Sequence, residues 1–93
     1  MNALARATQL RQRAGHLRNL ADAIETSPVM RLDRHGDVDT WRGARSELCR
    51  LTLARNQHQL HAAAEDLREH AWRFDREADE LEAIAHARIA AAG

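Results

Sequence analysis

Apolar residues recur along this chain at helical intervals, in two separate runs. In the first, Ala3, Leu10, Leu17 and Ile24 lie seven apart, and Ala7, Ala14 and Ala21 follow the first three by four residues. Alternating steps of four and three keep apolar side chains on one face of a helix packed at a shallow angle against another. Leu4 and Leu20 widen that face. The pattern predicts a helix from about residue 2 to 26, stopped by Thr26-Ser27-Pro28. Pro28 lacks a backbone donor and drives Ser27 out of helical geometry. The second run repeats the design: Leu53, Leu60, Leu67, Phe74 and Leu81 recur every seven residues, with Ala64, Ala71, Ala78 and Ala85 four behind. No Pro or Gly interrupts the span from about 44 to 91, which predicts a helix roughly 70 Å long.

Large residues alternating with alanine permit close approach of two helix axes. The predicted fold is therefore all-α: a single-domain antiparallel helical hairpin with a long second helix. Two helices cannot cover both sides of these stripes, so the hairpin is expected to dimerise into a four-helix bundle. Leu10, Leu17, Ile24, Leu53, Leu60, Leu67, Phe74 and Leu81 form the expected hairpin and dimer seam. The connector, residues 27–43, carries Val29, Met30, Leu32 and Val38 among charged residues, with His35-Gly36-Asp37 as a turn signal. Its apolar residues predict that it folds back on the hairpin end, with room for a short helical turn. Asp39, Thr40 or Ser46 can cap the second helix.

Composition narrows the class further. With one Phe, two Trp and no Tyr in 93 residues, and valine only at Val29 and Val38, a β-sandwich is excluded. Formal charge is zero but unevenly spread. Met1 to His58 holds ten Arg against six acids, and Gln59 to Gly93 holds four against eight. Opposite charge on antiparallel helices favours their pairing, and the basic half is answered within the chain, so no nucleic-acid role is expected. Helix–turn–helix DNA binding would also want a third helix. There is no apolar run long enough to cross a bilayer and no basic-then-hydrophobic signal peptide at the start, so membrane insertion and the general secretory route are not expected.

Trp41-Arg42-Gly43 closes the connector. An indole at a helix–turn–helix corner can plug the open end of a hairpin, and glycine lets the backbone turn without a Cβ clash. With that corner between two amphipathic helices, the sequence resembles the WXG-motif family of type VII secretion proteins. The resemblance covers the helix–corner–helix plan, and its specific part is the corner and the Ala/Leu helix after it. It implies a helical hairpin with Trp41 and Gly43 as the corner. It also implies dimerisation, as a homodimer, with a paired hairpin relative or with a secreted effector. Export by an actinobacterial or Gram-positive type VII system would follow, from the cytoplasm and without a signal peptide. The family's export signal is an aromatic followed four residues later by an acid near the end of the second helix. Here Phe74 is followed by Ala78 and Trp72 by Arg76. Pro28 also ends the first helix early. A signal-less partner, a targeting adaptor or a non-secreted relative all fit these departures.

Other candidate chemistry is sparse. His58, His61 and Glu65 can share one helix face at spacings that metal ligands use, but a solvated polar face explains them without a metal. No Glu-x-x-His pair is present, and neither a metal nor any other cofactor is expected. Cys49 is alone beside Leu48 and Leu51 and is expected to be a buried small hydrophobe. Arg42, Arg45, Arg50 and Arg55 form a basic strip best read as a solvated, salt-bridged face. Trp72 stands one position off the seam, either packed at the core edge or offered as an anchor to a partner. The acids Asp75, Glu77, Asp79, Glu80 and Glu82 crowd after it. With no nucleophile, phosphate loop or ligand cluster, the expected function is non-enzymatic.

Overall fold

Asparagine 2 starts the first helix. In the computed structural model, which describes residues 2–32 and 43–92, the Asn2 side-chain oxygen accepts a hydrogen bond from the Ala5 backbone N–H at 2.8 Å. That contact satisfies one of the donors a helix leaves open at its start. Helix α1 runs Ala3–Glu25. It ends at Thr26, whose backbone N–H and Oγ1 hydroxyl both donate to the Asp22 carbonyl, at 2.9 and 2.8 Å. Ser27 is extended at φ −60°, ψ 140°, the geometry a following proline favours, and Pro28 opens a 3₁₀ turn over Pro28–Arg31.

Helix α2 spans Gly43–Ala92, 50 residues without a break. At 1.5 Å per residue it measures about 75 Å, and it sets the 74 Å long axis of the molecule. Gly43 is thus the first residue of α2. Trp41, the other half of the expected corner, lies outside the described residues, as do Val38, the His35-Gly36-Asp37 turn and the candidate caps Asp39 and Thr40.

Helix α1 lies antiparallel along the stretch of α2 from about residue 61 to residue 82. Arg11 meets Asp79 and Glu82 near one end, and Glu25 meets His61 near the other. The 3₁₀ turn continues the contact, with the Gln57 side-chain amide donating to the Val29 carbonyl at 2.9 Å. Val29 and Met30 are half-buried, so this part of the connector does fold back on the hairpin.

The seam between α1 and α2 is built of alanine. Ala14, Ala21, Ala64, Ala71 and Ala78 are fully buried and Ala7 is nearly so; Leu10, at 4% exposure, is the single larger residue among them. With methyl groups at the contact layers, the axes can approach to the short end of the roughly 8–10 Å range for packed helices. Apart from Leu10, larger side chains are left to the flanks. Among the described residues the fold is a two-helix rod without strands, and its radius of gyration is 21.3 Å. A compact domain of this length would have about 12 Å. No described helix is long and apolar enough to cross a membrane.

Candidate functional site

Because the seam is one alanine wide, its two flanks are free to differ, and they do. Successive helical residues turn by about 100°, so Leu17, Leu20 and Ile24 fall to one side of the buried alanines of α1 while Arg11, Arg18 and Asp22 fall to the other. On α2 the same division sets Leu60, Leu67, Phe74 and Leu81 against Arg68, Asp75, Asp79 and Glu82. The hairpin therefore has a leucine edge and an ion-pair edge.

The leucine edge gathers most of the expected seam residues without closing over them. Phe74 and Leu81 pack against the buried cluster of Ala7, Leu10 and Ala78. Further toward the connector, Leu20, Ala23, Ile24, Ser27, Leu60 and Leu67 line an open apolar groove. Leu17, Ile24, Leu60, Leu67, Phe74 and Leu81 are all half-buried, and Leu20 is 54% exposed. Leu53 is half-buried but belongs to neither group. Both Arg6, paired with Glu77 at 3.6 Å, and Arg13 lie on this side of α1.

Charge pairs close the opposite edge. The Arg11 guanidinium donates to Glu82 twice, at 2.9 Å each, and to Asp79 at 2.7 Å, with Asp75 at 3.6 Å. Arg18 also donates to Asp75. The hydrogen bonds to Glu82 and then Asp79 hold the Arg11 proton more tightly than usual. In return, the bond from Arg11 keeps the Glu82 carboxyl below the ordinary carboxylate range. One turn from the end of α1, Arg68 bridges Asp22 at 3.2 Å, Glu25 at 3.5 Å and Glu65 at 2.9 Å. Its proton is likewise held more tightly, first by the hydrogen bond to Asp22. These groups are partly to largely exposed, so the pairs align the two helices more than they stabilise them.

The remaining expectations divide. Trp72 is 57% exposed and does not pack into the seam; the Arg76 guanidinium lies 5.1 Å from the centre of its ring, a cation–π pair on the surface. Cys49 was expected to be buried but is exposed, as are its neighbours Leu48 and Leu51 at 65% and 61%. The physical reason is length: α1 ends opposite His61 and the 3₁₀ turn opposite Gln57, so among the described residues nothing lies over this turn. Arg50 pairs with Glu47 at 3.4 Å, in keeping with a salt-bridged strip. His58, His61 and Glu65 are all exposed, as a solvated face requires, and His61 in addition sets its Nδ1 2.6 Å from Glu25 on the other helix.

No family model, no curated protein and no solved structure matches this chain. The site is therefore read from its own geometry. The ion-pair edge was not singled out from the sequence, although its signal was there in the basic first half and acidic second half. What the sequence alone lacks is the register that sets Arg11 beside Asp79 and Glu82.

Proposed function

We propose that this chain is a non-enzymatic, WXG-type helical hairpin that works by association, and that its leucine edge is covered by a second copy of itself in a four-helix bundle. The observation that carries this reading is the half-buried leucine edge on a rod that exposes 7134 Å². A compact monomer of 10.5 kDa would expose about 5,400 Å². The excess, on the order of 1,700 Å² per chain, is more than the roughly 800 Å² that each partner of a standard specific interface buries. Charge favours a copy over an unrelated partner. Arg13 flanks the leucines of α1, beside Arg6 that is already paired with Glu77, while Asp66 and Glu80 lie along the outer flank of α2. A two-fold axis along the rod sets α1 of one chain over α2 of the other, bringing unlike charges together.

In this reading the bundle is the unit recognised by a type VII secretion system, as substrate or as the partner module of one. The test is to compare culture filtrates from a host with an intact and a disrupted type VII system. Appearance only with the intact system supports export; retention in both removes it. A second reading, an adaptor that binds one protein partner and is not exported, is favoured by a specific observation. The position four residues after Phe74 is Ala78, fully buried in the seam, where an exposed acid of an export signal has no place. The position four after Trp72 is Arg76, which lies over the indole.

A further inference from the structure

Glu25, the last residue of α1, faces His61 and Glu65 on α2, which are four residues and so about one turn apart. One ligand atom from each of the three lies within 4.8 Å of the others. The histidine nitrogen is 2.6 Å from the Glu25 carboxylate. We propose that these three side chains form a divalent-metal site, of the N/O type that takes Zn(II), joining the C-terminal end of α1 to α2.

The chemistry fits such an ion in three respects. One imidazole and two carboxylates are ligands zinc accepts, with bonds of about 2.0–2.2 Å and a fourth position open to water. Bonds of that length in a tetrahedron set ligand atoms about 3.4 Å apart, so the His61–Glu25 pair would open from 2.6 Å to admit the ion while Glu65 stays within reach. The ligands also sit on two packed helices, with Glu25 half-buried, which fixes their backbones in advance.

Arg68 argues about strength. Its guanidinium lies 2.9 Å from Glu65 and 3.5 Å from Glu25, so a cation already stands between the two carboxylates. A metal ion would take over that role, and Arg68 would keep Asp22, which it already meets at 3.2 Å. The arrangement makes Arg68 a built-in competitor. Removing it leaves two carboxylates uncompensated and should tighten metal binding, an effect no scattered surface histidine would show.

The experiment is calorimetric titration of the chelator-treated full chain with Zn(II) at neutral pH, alongside its melting temperature. The expected result is one ion per chain and a rise in melting temperature with added zinc. His61→Ala and Glu25→Gln should each weaken binding by roughly tenfold or more, and Arg68→Gln should strengthen it several-fold. His58→Ala should leave it unchanged, since His58 is not in the cluster. Absence of saturable binding would overturn the proposal. So would full binding by Glu25→Gln, which would mark a chelate on α2 alone, or an equal loss with His58→Ala. One ion per two chains would also overturn it, by showing zinc bridging copies rather than helices.

Discussion

The two edges of this hairpin are built on the same pair of helices and share the same alanine seam, yet they are finished differently. On the ion-pair edge every charged group at the seam finds its partner within the chain, from Arg11 with Asp79 and Glu82 to Arg68 with Asp22 and Glu65. On the leucine edge Leu17, Ile24, Leu60 and Leu67 remain half-buried and Leu20 more exposed than covered. One edge is complete in a single chain and the other is not. The difference teaches that orientation and association are separate tasks here. Exposed charge pairs fix how α1 lies on α2 at little energetic gain, while apolar area left uncovered would supply the driving force for the proposed second chain.

The largest effect should come from placing charge on the incomplete edge. Leu67→Glu buries an unpaired carboxylate in the proposed interface, at a cost to association of at least about 3 kcal/mol. Sedimentation should then show dissociation with the helical circular-dichroism signal largely kept. Loss of helix before loss of association would break the separation of the two tasks. Next comes the seam that both edges share. Ala14→Leu forces a larger side chain where none fits, destabilising by about 1–3 kcal/mol, which is a drop of several degrees in melting temperature. An unchanged melting temperature would mean the helices are not in close contact there.

Smaller effects are expected from the complete edge. Arg11→Gln removes the hub that joins Asp79 and Glu82, and should lower the melting temperature less than Ala14→Leu does. The difference from wild type should fade in molar salt, because exposed pairs are screened. A salt-independent loss would mean Arg11 acts by packing its stem. The smallest effect is a pH dependence. Glu82 has its carboxyl lowered by Arg11, so in the folded chain it stays ionised to lower pH than when unfolded. Its contribution is present above the ordinary carboxylate value of about 4 and is lost as pH falls through the lowered folded value. A melting-temperature profile from pH 7 down to 2 should fall more steeply for wild type than for Glu82→Gln across that acid range.

Much of this architecture was legible in the heptads. The seven-residue spacing of leucines with alanines four behind predicts two helices that pack side by side, and the all-helical hairpin follows from it. The spacing did not say which of the two rows would be central. Packing made that choice: Ala14, Ala21, Ala64, Ala71 and Ala78 take the middle because methyl groups let the axes close, and the larger residues go to the flank. Cys49 is exposed because α1 does not reach it, which its apolar neighbours Leu48 and Leu51 do not reveal. The His61–Glu25 contact was invisible for a related reason, since 36 residues separate its partners and only the hairpin register joins them. The Trp41 end of the corner lies outside the described residues, so the resemblance it carries rests on sequence.

The central claim is that the leucine edge is covered by a second copy of this chain. Sedimentation equilibrium of the purified full chain across micromolar concentrations tests it most directly. The account predicts a mass of about twice the 10.5 kDa of one chain, returned to one chain by Leu67→Glu. A wild-type mass of one chain throughout that range would contradict it.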